Sequence, residues 1–359
     1  MSAKRKHMWE QRGDKLCLWT EEGLTLWRLP IKLNDIHPDL LFLVECLLNY
    51  SYYEKEVMEN LAAYKFTRVQ GKHPGLCFSG GVDSLAAKIL MPDDTRLVFH
   101  NRVLQIPCNN SYGLAKNIFD KMDREVYVVD SNSDVFRMTH GDGCGYSSTF
   151  CCGLGVILLA DYLDLGYFAT GMVLDSAYIS QTGIKFAPLK DEIEFIWMDI
   201  FRRIGLPFYF PTAGIGEPVT NKICKEAGLL DLAVSCFRGT NCGLCIKCYR
   251  KLLLENTPPA MTPKIQKILD REILDHYAVY TYYSLQNNLK WDRYLDGDFS
   301  WLDQYYPTSF ELIPDEFKDF HKEQLEKYAR PMKQPYLIEQ IDLANGQYPR
   351  TSFEKGFEL

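Results

Sequence analysis

The chain has 359 residues, 47% of them hydrophobic and 24% charged, the balance of a protein able to bury a sizeable core. A net charge of −7 argues against a globally basic nucleic-acid surface, and the first long apolar run, 40–48, is interrupted by Glu45 and too short to span a bilayer. The basic start, MSAKRKHMWEQRGDK, lacks the apolar segment of a secretory signal; the expectation is a cytoplasmic protein whose 12 cysteines are thiols or metal ligands rather than disulfides.

In chain order, KLCLWTEEGLTLWRL (15–29) reads as a hairpin turning at Glu21-Glu22-Gly23. Residues 39–65 carry apolar side chains at helical spacing, with a break near Asn49–Tyr53. An α/β rhythm follows: strands at 75–78, 96–100, 125–130 and 167–170, with helices at 83–90, 111–122 and 149–163 between them. Strands alternating with helices of this length imply a parallel sheet with helices on both faces. From Gly205 the pattern is punctuated by Gly and Pro and then becomes cysteine-rich; after Pro258-Pro259 a helical stretch to about Tyr283 leads into an aromatic, acidic tail. Three parts are expected: an N-terminal extension over 1–70, an α/β domain over 71–257 and a helical, aromatic-rich extension over 258–359.

Between the first α/β strand and its helix stands Ser79-Gly80-Gly81-Val82-Asp83-Ser84. At such a junction backbone N–H groups converge with the positive end of the helix dipole, which makes an anion site. Gly80 and Gly81 permit positive φ and close approach of phosphate oxygens, and Ser79 and Ser84 add hydroxyls. Asp83 fits beside phosphates when a cation such as Mg²⁺ lies between them. The bland alternative is a tight turn with Asp83 capping the helix.

The string Ser79–Ser84 resembles the pyrophosphate loop of the N-type ATP pyrophosphatases, the group that holds GMP synthetase, asparagine synthetase and NAD synthetase. The resemblance implies the adenine nucleotide alpha-hydrolase-like fold, with ATP and Mg²⁺ at the loop. A substrate oxygen would attack the α-phosphorus, and a nitrogen or sulfur nucleophile would then displace AMP. It also implies adenine near the end of the second strand, around Phe99 and His100.

Farther on, SCFRGTNCGLCIKCYR (235–250) holds Cys236, Cys242, Cys245 and Cys248. Two consecutive C-x-x-C steps with a fourth thiol read as a closed tetrahedral zinc site, with an iron–sulfur centre as the alternative. Gly239 and Gly243 allow the turns, and Arg238, Lys247 and Arg250 would offset the thiolate charge. Loop plus cysteines resembles the 7-cyano-7-deazaguanine synthase family, and Thr220-Asn221-Lys222-Ile223 is similar to its Thr-Lys helix. Gly171 with Asp175 and Tyr178 is similar to its substrate loop, which implies contact with a 7-deazapurine acid. HGDGCGYSS (140–148) departs from the pattern expected there, and the Cys236–Cys242 gap is short.

His100 and His140 otherwise read as structural histidines, and Cys151-Cys152 as small buried apolar residues. The aromatics of 277–320, among them Tyr282, Tyr283, Trp291, Trp301, Tyr305 and Tyr306, lack the basic groove of a nucleic-acid binder and suit core packing or a protein interface. The resemblance implies an ATP-dependent carbon–nitrogen ligase acting on 7-carboxy-7-deazaguanine or a similar acid, with zinc structural. Its enlarged termini resemble anti-phage-defence relatives, in which the activated base passes to a protein amine. The alternatives are the housekeeping synthase of queuosine biosynthesis, transfer-RNA thiolation, and a non-catalytic nucleotide-binding module.

Overall fold

The computed structural model describes residues 8–21, 23–103, 112–133, 147–179, 185–188, 194–236, 242–255, 261–269 and 300–342. Eight strands form one sheet: β1 Met8–Arg12, β2 Lys15–Thr20, β3 Gly23–Arg28, β4 His73–Cys77, β5 Arg96–Arg102, β6 Val126–Ser131, β7 Leu165–Thr170 and β8 Phe208–Tyr209. Their spatial order is β1-β2-β3-β6-β5-β4-β7-β8. β6 through β8 are mutually parallel, and the N-terminal meander joins their edge antiparallel, with Trp27 opposite Ser131.

The described helices are α1 Pro38–Ala63, α2 Val82–Leu90, α3 Tyr112–Phe119, α4 Ser147–Leu158, α5 Leu174–Tyr178, α6 Glu194–Arg203, α7 Glu217–Glu226, α8 Ile246–Leu254, α9 Pro263–Leu269 and α10 Lys318–Glu326. Along β5, Val98 faces one apolar cluster while Leu97 and Phe99 face another, the period-two alternation of a pleated strand. The first cluster lies under α1, α4 and α6, the second under α2, α3 and α7. Helices therefore cover both faces, and every residue of β7 is buried. The expected sheet, hairpin and helix-on-both-faces architecture is present; α1 is interrupted at Tyr53 (φ −135°, ψ 44°), where its apolar spacing breaks.

The sequence reading missed two strands of this sheet and the two-residue parallel pair Gln304–Tyr305 and Arg330–Pro331 in the tail. β1, MWEQR, has little apolar alternation and is held by backbone pairing with β2 and by the Trp9 indole donating to Glu45 of α1 at 2.5 Å. β8 is two residues long and takes its direction from β7. The described part of the C-terminal tail contributes residues to both clusters of the core. Trp301, Tyr306 and Ile338 belong to the first cluster, and Tyr305, Ile313 and Leu325 to the second. Tyr282, Tyr283 and Trp291 lie outside the described residues, as do His140, Arg238 and Gly239; the side chains of Cys151 and Cys152 are likewise undescribed.

At the N-terminal ends of the strands the buried Arg68 guanidinium ties layers together. Its Nε donates to Asp161 at 2.7 Å and its other nitrogens to the carbonyls of Leu165, Ile204 and Gly205. At the opposite end, successive strands step one way from β4 through β5 to β6 and the other way from β7 to β8. Ligands of doubly wound sheets sit outside the carboxyl ends of the strands where that order reverses. Here that point is the end of β4.

Candidate functional site

The segment leaving β4 is Phe78–Gly81, and α2 starts at Val82. Gly80 takes φ +72°, a conformation costly for any residue with a Cβ, and an added Cβ would also stand 3.2 Å from Ile118 Cγ2. Gly81 takes φ −82°, so its expected positive φ is not used. What constrains it is space: a Cβ would press on Ser79 Oγ and Ser235 Oγ, each at 3.3 Å. Gly81 is the N-cap with no side-chain cap, so Asp83 does not cap the helix. Ser79 and Ser84 share a hydrogen bond of 3.0 Å, and the Ser84 hydroxyl also lies 3.0 Å from the Gly81 carbonyl.

Asp83 turns toward α7, where the Thr220 hydroxyl donates to its Oδ1 at 3.0 Å. One small pocket is lined by Asp83, Glu217, Thr220, Asn221, Ser235, Lys247 and Lys251. Burial, then the neighbouring Glu217 charge, push the Asp83 carboxyl above the usual range against the pull of Lys247 and Lys251. Burial also pushes Glu217 up, but Arg250, Lys247 and Lys251 together outweigh it and hold that carboxyl low. Arg250 is buried and donates through Nε to Glu217 at 2.9 Å and through a second nitrogen to its other oxygen. So Arg250, expected to offset thiolate charge, is committed to a carboxylate, and Lys247 lines the acidic pocket.

Gly171, at the end of β7, packs against the same loop: a Cβ there would lie 2.8 Å from the Asp83 carbonyl carbon and the Ser84 nitrogen. Asp175 is half-buried in the first turn of α5. Tyr178 is placed elsewhere. Its ring is buried, stacked on Phe186 and edge-on to Tyr306 at 4.8 Å, so it belongs to the core beneath the tail. Phe99 is fully buried, edge-on to Phe119 at 4.9 Å, and His100 is buried beside it on β5. These two precede the strand's end at Arg102 and present no open face to a base. Lys222 reaches away from the loop, donating to the Tyr328 carbonyl at 2.7 Å.

The four cysteines converge. Sγ of Cys236 lies 3.4 Å from that of Cys242 and 3.9 Å from that of Cys245, and Cys245 and Cys248 are 3.5 Å apart; all four sulfurs fall within 4.8 Å. A disulfide would need about 2.05 Å. Four thiolates around one zinc at about 2.3 Å stand about 3.8 Å apart, so the set fits a single tetrahedral ion such as zinc. The Cys242 and Leu244 amides point at sulfurs at 3.5 and 3.4 Å, and Gly243 turns through φ +67°. Cys245 immediately precedes α8, which carries Cys248 together with Lys247, Arg250 and Lys251.

The cysteine segment is also sewn to the glycine loop. The Val234 amide donates to the Gly80 carbonyl at 2.9 Å, and the Val82 amide donates to Ser235 Oγ at 3.0 Å, one residue before the first thiol. Glu217 and Lys251 escaped the sequence reading, and Asn221 and Ser235 entered it only as members of longer strings, without a role of their own. For Lys251 a signal existed, since Lys247 and Lys251 are four apart on one helical face; for Glu217 and Ser235 none did.

Residues 196–288, which include the four cysteines and exclude the glycine loop, match the model of a family of unknown function, DUF6395. No curated protein is significantly similar to the chain. Among the described residues no helix is long and apolar enough to cross a membrane.

Proposed function

We propose that the chain is an ATP-dependent enzyme of the N-type ATP pyrophosphatase kind, resembling 7-cyano-7-deazaguanine synthase. The observation that carries this reading is the position of Ser79–Ser84: a glycine loop leading into a helix at the reversal point of a parallel sheet, where backbone donors meet a helix N-terminus. The loop would hold the pyrophosphate of ATP. Mg²⁺ at Asp83 would supply the charge that lets a carboxylate stand beside phosphate oxygens, and the raised proton affinity of Asp83 in the protein alone accords with a site built around a cation. A carboxylate oxygen of a planar acid such as 7-carboxy-7-deazaguanine would attack the α-phosphorus, releasing pyrophosphate. A nitrogen lone pair would then attack the acyl carbon, and the C–O bond would break with AMP leaving. The protein's part is positioning and charge stabilisation. Zinc at the four cysteines would be structural, because all four positions are filled by sulfur.

The test is mass spectrometry of the purified protein with ATP, Mg²⁺ and 7-carboxy-7-deazaguanine, with and without ammonia. AMP together with 7-cyano-7-deazaguanine is the outcome for a free-molecule synthase. Pyrophosphate with a retained adenylate, or AMP with an amide, and no nitrile in either case, points to a protein amine as acceptor, the form expected of a defence enzyme. ATP bound with no AMP formed would sink the substrate assignment and favour the nucleotide-binding module.

A further inference from the structure

Beside the glycine loop stands a group of side chains that the resemblance does not explain. Asn221, on α7, is 5% exposed, and its Nδ2 has no hydrogen-bond partner among the described residues. It lines the same pocket as Lys251, whose ammonium makes no hydrogen bond among the described residues. A buried amide donor costs free energy unless an acceptor supplies it, and the half-buried Lys251 ammonium, though attracted by the Asp83 and Glu217 carboxylates, still has N–H groups to donate. Both therefore point to an anionic ligand with several oxygens, entering from the α8 side of Asp83.

The lysine's placement follows from the cysteines. Lys247 sits between Cys245 and Cys248, and Lys251 lies one turn beyond, so the turn that offers its thiols to a metal also offers its ammonium groups to the pocket. On the other side of the cluster, Ser235 precedes Cys236 and receives the Val82 amide, while Val234 donates to Gly80. One ion held by four sulfurs would thus fix the glycine loop through 234–235 and the cationic face of α8 through 245–248.

We propose that the cysteine centre is a positioning device for phosphate-oxyanion binding. It holds Lys251, with Asn221, against the open side of the glycine loop, so that binding of the pyrophosphate group depends on the metal although no anion touches it. The proposal rests on the reading of the loop as a pyrophosphate site, and its experiment separates the two.

Inorganic pyrophosphate is titrated by calorimetry into the full-length zinc-loaded protein, its Lys251→Met and Lys251→Arg variants, and protein stripped by a chelator. Amide hydrogen exchange at Val82 and Val234 is followed alongside, with the β5 amides as reference. The loaded protein binds pyrophosphate; Lys251→Met weakens it by roughly tenfold or more, as expected for a lost charged hydrogen bond, and Lys251→Arg restores most of it. Stripping weakens binding and speeds exchange at Val82 and Val234 but not in β5, whereas Lys251→Met leaves exchange unchanged. Unaltered affinity in Lys251→Met, unaltered loop exchange after stripping, or equal acceleration in β5 overturns the proposal. Failure of the loaded protein to bind pyrophosphate overturns the parent reading, while the exchange data still decide whether metal and loop are coupled.

Discussion

At the scale of single residues the site is an uneven charge pair. Asp83 holds its proton longer when folded than an unfolded aspartate does, because burial and then Glu217 disfavour its charge. A raised native pKa means that stability falls as pH climbs from the ordinary carboxylate range through the raised value. Asp83→Asn is therefore expected to raise Tm near neutral pH, with the gain vanishing at about pH 3, below the reference value for aspartate. The same variant should abolish AMP release, and differential scanning fluorimetry beside an AMP assay reads both. Glu217 behaves oppositely. Its depressed pKa contributes stability above the usual glutamate range, lost as pH falls through the depressed value. Glu217→Gln leaves the buried Arg250 guanidinium without its carboxylate, and urea unfolding should show a loss of about 3 kcal/mol. The loop and the four cysteines were legible in sequence because each is a contiguous string whose chemistry depends on spacing. Glu217, Asn221 and Ser235 were not, because each reaches Asp83 or its loop only through the fold; the Thr220–Asp83 hydrogen bond alone spans 137 residues.

Elements were easier to read than residues where they repeat a period. The β4-to-β7 rhythm and the break in α1 are written in apolar spacing, whereas β8 has two residues and no period to show. Tyr178 illustrates the limit from the other side: a polar-tipped residue after a strand reads equally as a ligand or as core, and only the tail packing on it, through Tyr306, decides. One of the closest fits between elements is α4 on the sheet. A Cβ at Gly153 would fall 2.2 Å from Phe168 Cζ and one at Gly155 would fall 3.1 Å from the Val129 side chain. Gly153→Ala should push the helix off β7 and cost about 1–3 kcal/mol by overpacking, and Gly155→Ala less. The two Tm values, compared with wild type, check that ranking. In the glycine loop, Gly80→Ala should cost about 1–2 kcal/mol from its left-handed backbone and weaken nucleotide binding as well.

Across the whole molecule the terminal additions behave as structure. Leu312 and Ile338 of the tail are buried in the cluster beneath α1, and Leu325 of α10 is buried on the opposite face. A chain truncated before Ser300 would uncover both cores, so it should be recovered as aggregate or as a species that binds a hydrophobic dye, read by size-exclusion chromatography and dye fluorescence. Composition alone could not separate this outcome from a docking surface, because a buried tyrosine and an interface tyrosine look alike in sequence; the neighbours supplied by the fold distinguish them.

The seam between β3 and β6 has a consequence for synthesis. Leu26 donates its amide to the Asn132 side chain at 2.6 Å, and the Asn132 amide returns a hydrogen bond to Leu24, so the N-terminal meander is latched to residues made more than a hundred positions later. α1 waits about as long, since its packing partner is α4. On the ribosome the first strands and the long apolar α1 emerge before their partners exist, and chains grow at about 5–20 residues per second. The nascent protein thus passes seconds with its longest described helix covered only by the N-terminal meander, an interval in which a holding chaperone would keep the remaining apolar face from sticking to its neighbours.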